Sequence, residues 1–250
     1  MKPPSRSPRR WFLLLASCCA SCLAPSHRAT EERAIRVETP ALRSLHCATH
    51  NGELEVTGMP VAVVEGIATV TAYGESEEQA RENLKRLELV QDFDGSELRL
   101  KLNVPQDLDG DVAFKLTAPE AVMLLANTHN GAVKASAIGG GLRAATHNGA
   151  VELDRVSTPV HVDAHNGGVR GSIRGRELDV ELRSHNGAIA LRLDRDASAQ
   201  VSATAHNGSI SLSGATAMNL AEGSATGTYG EGKGSLKLAT HNGQIAVRIE

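Results

Sequence analysis

The segment LRAATHNGAVEL, residues 142–153, contains the pattern that decides the fold, because its central His-Asn-Gly recurs along the chain. Seven copies occur, and they begin at His50, His129, His147, His165, His185, His206 and His241. The five middle copies lie 18, 18, 20 and 21 residues apart. Spacing of this size is typical of one short supersecondary unit per copy, with each unit completed by its neighbour. The sequence therefore predicts a repeat architecture.

The positions around the tripeptide alternate between apolar and variable residues. Five and three positions before the histidine the residue is apolar in every copy, as at Leu142 and Ala144. Apolar residues resume four and six positions after it, as at Val151 and Leu153, with Gly171 as the one exception. This period of two predicts a half-buried strand on each side of a turn. We expect the Asn-Gly pair to make that turn, with glycine supplying a positive φ.

Two all-β architectures fit these columns. An antiparallel meander would use each Asn-Gly as a hairpin turn. A β-solenoid, similar to a single-stranded β-helix, would use one copy per coil of about 18 to 21 residues and stack the coils about 4.8 Å apart. The recurrence of one turn at nearly one coil length favours the solenoid, because a meander has no reason to make every second turn alike.

The chain departs from the repeat in two places. Ser76 and Gln79 have the spacing of a helix capping box, which predicts a short helix over residues 76–87 that caps the solenoid. Residues 214–234 are rich in Gly, Ala, Ser and Thr and predict a flexible loop before the last copy.

Residues 1–17 resemble a bacterial lipoprotein signal peptide, with a basic start, a short apolar stretch and then Leu-Ala-Ser-Cys. In signals of this kind the cysteine, Cys18 here, becomes the lipid-modified first residue. We predict a signal peptide over 1–17, a tether over 18–33 and a repeat domain over 34–250, regular from 121 to 250. The protein is expected to be exported and lipid-anchored at the outer membrane; ordinary cleavage and a soluble periplasmic product is the alternative.

Composition constrains the core, the covalent cross-links and the possible partners of the protein. Aromatic residues make up 2% of the chain, which predicts a thin aliphatic core. Only Cys47 of the four cysteines lies well beyond the leader, so no disulfide framework is expected. The net charge is −3, and removal of residues 1–17 leaves 22 basic against 29 acidic groups. Nucleic acid is therefore not expected as a partner.

The pattern Thr-His-Asn-Gly-x-Val-x-Val, the strand at 98–104 and the glycine-rich stretch before the last copy resemble the bacterial adhesin-like "toast-rack" β-strand-repeat domains of unknown function. The resemblance covers residues 34–250. It implies a β-solenoid-like, non-catalytic envelope module whose partner is an envelope protein or a surface ligand. It brings no catalytic residue and no cofactor, and the histidine in every copy departs from the family pattern.

The repeat tripeptides are the candidate site. Their residues are His50, Asn51, Gly52, His129, Asn130, Gly131, His147, Asn148, Gly149, His165, Asn166, Gly167, His185, Asn186, Gly187, His206, Asn207, Gly208, His241, Asn242 and Gly243.

Stacked coils would align the imidazoles. One interpretation is a structural column of neutral rings with lowered pKa values, because like charges at this spacing repel. The other is a site for zinc, nickel or copper, with the following candidate ligands: His129, His147, His165, His185 and His206. No acidic or cysteine ligand accompanies the histidine in every copy, which weakens the metal interpretation. Paired carboxylates and a Gly-x-Ser-x-Gly elbow are also missing from the sequence, so no enzyme activity is expected.

Overall fold

The computed structural model describes residues 27–250, which form 21 β-strands and one helix. The strands are β1 (His27–Glu38), β2 (Ser44–Thr49), β3 (Leu54–Met59), β4 (Val63–Gly74), β5 (Glu88–Phe93), β6 (Glu97–Asn103), β7 (Gly110–Pro119), β8 (Met123–Thr128), β9 (Val133–Ser136), β10 (Leu142–Thr146), β11 (Val151–Ser157), β12 (Val160–Ala164), β13 (Val169–Arg174), β14 (Asp179–Ser184), β15 (Ile189–Leu193), β16 (Ala199–Asn207), β17 (Ile210–Leu212), β18 (Thr216–Ala221), β19 (Ser224–Tyr229), β20 (Ser235–Asn242) and β21 (Ile245–Ile249). The helix α1 spans Glu77–Arg86. The predicted signal peptide and Cys18 lie outside the described residues.

Each repeat contributes one strand to each of two sheets. The first sheet has ten strands in the order β1-β4-β7-β3-β9-β11-β13-β15-β21-β17 and contains the strands that follow the tripeptides. The second sheet has eleven strands in the order β18-β19-β16-β20-β14-β12-β10-β8-β2-β6-β5 and contains the strands that precede them. Strands from neighbouring repeats are parallel and in register, so that Leu142 lies opposite Leu124 and Val160. This pairing confirms the solenoid and contradicts the antiparallel meander.

The apolar columns predicted from the sequence form the core between the sheets. Leu142 and Ala144 on the second sheet and Val151 and Leu153 on the first are all at most 3% exposed. Their equivalents in the other copies are buried too, except for the half-buried Gly171 and Ile210. Side chains alternate inward and outward along each strand, so every coil adds two layers of small aliphatic residues to one continuous core.

The coils do not stack in sequence order. The strands of the last copy, β20 and β21, lie between those of the His185 copy and those of the His206 copy in both sheets. The chain therefore builds its terminal coil with β16 and β17, turns through the hairpin β18–β19, and then inserts the final coil beneath it. The longer interval of 35 residues between His206 and His241 accommodates that hairpin.

Antiparallel strands cover the ends of the stack. At one end β1, β4 and β7 pair antiparallel in the first sheet, and β5 and β6 do so in the second. At the other end β19 pairs antiparallel with both β16 and β18. The second sheet thus ends in an antiparallel strand at both edges, β5 at one and β18 at the other. These strands do not repeat the parallel pairing of the body, and this limits the addition of further coils.

Two predicted boundaries are wrong. The sequence predicts a tether over residues 18–33, but residues 27–33 belong to β1, where they pair with β4 in an unbroken register. A charged sequence with little apolar character hid this edge strand. Residues 214–234 do not form a loop throughout, because they contain β18 and β19. Small residues there suit a hairpin whose outer strand is exposed along its whole length.

The helix α1 begins and ends where its caps require. The Ser76 side chain accepts a hydrogen bond from the Gln79 amide, as the capping box predicts. The Gln79 side chain reaches back to the Glu75 amide instead of that of Ser76. Ala80 is buried, and the helix packs on β4 and β1 at the end of the first sheet.

Candidate functional site

The seven histidines form one continuous column along an edge of the solenoid. Neighbouring rings are nearly parallel, within 8°, and their centroids are 4.6–4.9 Å apart. All seven side chains are exposed. The order along the column is His50, His129, His147, His165, His185, His241 and His206. The prediction that the five middle histidines stack is confirmed for His129 to His185. His241 lies between His185 and His206. We call this set the histidine column.

The seven asparagines form a second column beside the first. In six of them the side-chain amide Nδ2 donates to Oδ1 of the asparagine in the next coil towards β3, with N···O distances of 2.5–2.8 Å. The backbone pairs at the same place, since the amide of Asn148 donates to the carbonyl of His129 at 2.7 Å. Such amide ladders satisfy each side chain by its copy in the next layer, which is why identical residues recur in stacked β-structures. We call these residues the asparagine column.

The corner glycines permit the close approach of neighbouring coils. A Cβ added to Gly149 would lie 1.9 Å from the carbonyl oxygen of Gly131, and one added to Gly167 would lie 1.8 Å from that of Gly149. None of the seven corner glycines has a positive φ. The expected reason for the glycine was therefore wrong: no side chain fits between stacked turns, whatever the local backbone angle.

In five of the seven copies the residue before the histidine carries a hydroxyl that links one turn to the next. The hydroxyl of Thr146 donates to the carbonyl of Gly131 at 3.1 Å, and that of Ser184 donates to the carbonyl of Gly167 at 2.9 Å. Equivalent bonds occur in three other copies. The two alanines at this position, Ala164 and Ala205, lack the hydroxyl. These bonds satisfy carbonyls that the turn would otherwise leave unpaired in the interior.

A carboxylate ends the asparagine column. Asn51 donates from Nδ2 to one oxygen of Asp111 at 2.8 Å, and the Tyr73 hydroxyl donates to the other at 2.7 Å. Asp111 is 7% exposed. The hydrogen bond from Tyr73 to this carboxylate, together with burial, raises the pKa of Tyr73 to about 12. Neither residue belongs to a repeat, so the sequence pattern gave no sign of their role.

The environment of the histidine column disfavours charge at its centre. The pKa of His147 is lowered from its ordinary value, first because neighbouring groups displace water from the ring and then because His165 and His129 would repel its charge. The direction agrees with the expectation for a stack of like groups.

The column is poorly shaped for a metal ion. Because the rings are parallel and repeat along the stack, equivalent nitrogens of neighbouring rings are also separated by nearly the centroid spacing of 4.6–4.9 Å. Two nitrogens bound to one tetrahedral zinc ion are roughly 3.3 Å apart, given Zn–N bonds of about 2.0–2.1 Å. In the region from 27 to 250 no three metal-ligating side chains converge. The five proposed ligands thus share a column without forming a coordination shell.

Cys47 is not available as a nucleophile. Cys47 lies in an inward column and is 1% exposed. Burial raises the pKa of its thiol to about 12, so the reactive thiolate is strongly disfavoured at neutral pH.

A shallow groove of about 700 Å³ runs beside the histidine column on the outer face of the second sheet. His147, His165 and His185 line one side, and the small side chains of Ala145 and Ala239 line another part of it. A second depression, of about 800 Å³, lies on the outer face of the first sheet among Arg170, Arg192 and Arg248. Both are open surfaces suited to contact with an extended partner more than to enclosure of a small substrate.

Comparison with known proteins supplies a family. The model of the Toastrack family DUF4097, a domain of unknown function, matches residues 27–248. No curated protein matches the chain. Among solved structures, the chain is similar to a Clostridium sporogenes protein that is named, provisionally, a cell adhesion protein. The two are 14% identical, with a TM-score of 0.47, over 89% of this chain and 100% of that one.

Helices in the part of the chain seen in the structure are too short or too polar to span a membrane. Family membership brings no known enzyme activity with it, because the family is one of unknown function. The match extends over both sheets and all seven tripeptides. The chain therefore belongs to the Toastrack family DUF4097.

Proposed function

We propose that this protein is a non-catalytic, adhesin-like binding or scaffolding module of the bacterial cell envelope, exported and held at the outer membrane by a lipid on Cys18. Its partner is an envelope protein or a surface ligand. One observation carries the proposal: the solenoid presents the same exposed side chains seven times, at steps of 4.6–4.9 Å, along one edge. A rigid surface with a repeated chemistry suits an extended or repetitive partner.

The remaining geometry supports binding over catalysis. The histidines lie parallel and side by side instead of converging on one point, so no acid–base pair with a shared reacting atom is formed along the column. The Cys47 thiol is buried. The sequence before the described residues supplies the anchor part of the proposal through its Leu-Ala-Ser-Cys motif.

Two experiments test this function. Growth with a labelled fatty acid should label the wild-type protein in the membrane fraction, and Cys18→Ala should abolish the label and release the protein. Label on neither protein would remove the anchor and leave the soluble periplasmic form.

For the partner, a photo-crosslinking residue at Arg143, on the outer face of the second sheet, should capture a specific envelope component in the native cell. The same residue at Lys115, on the outer face of the first sheet, is the matched control. Equal capture at both positions, or none at either, would contradict a dedicated binding face.

A further inference from the structure

The outer face of the second sheet is basic although the chain as a whole is acidic, with a net charge of −3. Between β6 and β16, the two outward columns of side chains nearest the histidines hold five basic residues and two acidic ones. The basic residues are Arg99, Lys101, Arg143, Arg183 and Lys237, and the acidic ones are Asp163 and Glu181. This face adjoins the groove beside the histidine column.

The first sheet has a smaller basic excess, and most of its cations are paired. Its matching outward columns hold the basic residues Lys115, Lys134, Arg170, Arg192 and Arg248 and the acidic residues Glu55, Glu152 and Asp154. Lys115 pairs with Glu55 at 3.2 Å, and Arg170 pairs with Glu152 at 2.7 Å. On the second sheet Arg99 pairs with Glu97 and Asp92, and Arg183 pairs with Glu181. Lys101, Arg143 and Lys237 have no ion pair within the described chain. Unneutralised cations on one face attract a polyanion to that face.

We propose that the histidine column and the basic outer face of the second sheet together bind a linear acidic polysaccharide, and that binding strengthens as the column takes up protons. This inference rests on the proposed binding function and names its ligand class.

The repetition of the site favours a polymer. Seven equivalent imidazoles at equal steps make seven weak contacts to a ligand that also repeats, and linked contacts add to the affinity without any single strong one. Carboxylate groups match this surface because they accept charge-assisted hydrogen bonds from imidazolium and guanidinium groups. Nucleic acid fits less well, since the outward columns of this face, over the coils described, carry no Phe, Tyr or Trp on which bases could stack.

Protonation is linked to binding by the position of the column. The charged groups that face it are Asp163 and Arg183 beside the groove, Glu53 after the first tripeptide, Asp109 and Asp111 at the His50 end, and Glu222 in the turn beside Ala205. Of these, Asp163 is the one acidic group beside the middle of the column, so neighbouring imidazolium ions there repel one another with little compensation. A bound polycarboxylate supplies that compensation and raises the pKa of the imidazoles it touches. Binding therefore takes up protons. For each proton taken up, the affinity rises by roughly tenfold for every unit by which the pH is lowered.

The test measures binding of polygalacturonate by the full chain at about pH 7.5 and about pH 5.5, on either side of the ~6.5 of free imidazole. We expect at least a roughly tenfold gain in affinity at the lower pH for the wild type. The triple variant His147→Gln, His165→Gln and His185→Gln should lose most of this gain on going from the higher to the lower pH. The control variant Lys134→Gln with Arg170→Gln, on the first sheet, should behave as the wild type.

A second measurement does not depend on any variant folding. Calorimetry of the wild type at about pH 6, in two buffers with different heats of ionisation, should show net proton uptake on binding. Equal affinity at both pH values, zero proton uptake, or an unchanged gain in a folded triple variant would each overturn the inference. Binding of neutral dextran or of single-stranded DNA as tightly as polygalacturonate would also overturn it.

Failure here is distinguishable from failure of the proposed function. If the crosslinker at Arg143 still captures an envelope component while polygalacturonate does not bind, the ligand class is wrong and the binding module stands.

Discussion

The side-chain amide of Asn51 donates a hydrogen bond to the carboxylate of Asp111 at 2.8 Å, and this bond joins the repeated part of the solenoid to its non-repeated end. Every other asparagine in the column donates to its neighbour in the same direction. The chain of amides thus directs its final N–H towards a negative charge. A charge-assisted hydrogen bond is stronger than a neutral one, and bonds in a chain polarise one another. Asp111 therefore stabilises the first coil and the strands that cap it.

Substitution of Asp111 by Asn should destabilise the protein by about 2 kcal/mol, because one accepting oxygen becomes a donor facing Tyr73 or Asn51. Urea unfolding followed by circular dichroism measures the change in the free energy of unfolding. The exposed neighbour gives the control, since Asp109→Asn should change it by less than about 0.5 kcal/mol.

The same substitution has a spectroscopic consequence. Without the carboxylate, the pKa of the Tyr73 hydroxyl should fall from about 12 towards the usual ~10, which ultraviolet titration of the phenol would detect. An unchanged tyrosine titration in the folded variant would show that Asp111 does not hold this hydroxyl.

Substitution of Gly149 by Ala should destabilise the solenoid by about 3 kcal/mol or prevent folding. The added methyl group would lie 1.9 Å from the Gly131 carbonyl oxygen, so that two coils must move apart and break their backbone and amide ladders. Thermal and urea unfolding measure the loss. The control is Gly95→Asn: Gly95 has a φ of 97°, which asparagine tolerates better than other residues, and nothing lies within 4 Å of its added Cβ. Equal loss at both sites would contradict stacking as the reason for the corner glycine.

These residues show how far the sequence could predict the fold. The inward columns were predictable because burial repeats with the strand period, as at Leu142 and Val160, which lie opposite each other in neighbouring coils. The stacking of the histidines followed from the same register. The order of the last two coils was not predictable, because the copies at His206 and His241 present equivalent columns and fit either place.

The role of glycine was misjudged for a different reason. Sequence statistics associate Asn-Gly with a positive φ, whereas the constraint at Gly149 comes from a carbonyl in another coil and depends on the stacking distance. Asp111 and Tyr73 were missed because they lie outside the repeat and meet Asn51 only in the folded protein. Local pattern thus predicts the repeated body, and the contacts that end it require the tertiary structure.

Metal binding should be weak if the column keeps its geometry. Titration of the protein with zinc at about pH 7.5 should give no heat of site binding at micromolar metal, because equivalent nitrogens nearly 4.7 Å apart cannot share a tetrahedral ion without ring rotation. The triple variant His129→Gln, His147→Gln and His165→Gln is the reference. A stoichiometric heat in the wild type that the variant lacks would restore the metal-binding interpretation.

Stability should fall in mild acid through the histidine column. The pKa of His147 is lower in the folded protein than the ~6.5 of an unfolded chain, so the unfolded state binds the proton more readily. The contribution of neutral His147 is therefore fully present above about pH 6.5 and is lost as the pH falls through the lowered folded value. Urea unfolding at several pH values between about 7.5 and 5 should show this decline in the free energy of unfolding. The variant His147→Gln should decline less steeply, because glutamine keeps a polar side chain that takes up no proton. Nuclear magnetic resonance titration of the imidazole protons measures the pKa of His147 directly. A midpoint at or above that of an unfolded peptide would show that the stacked neighbours do not oppose its charge. The fall in the free energy of unfolding at low pH would then have to come from other groups.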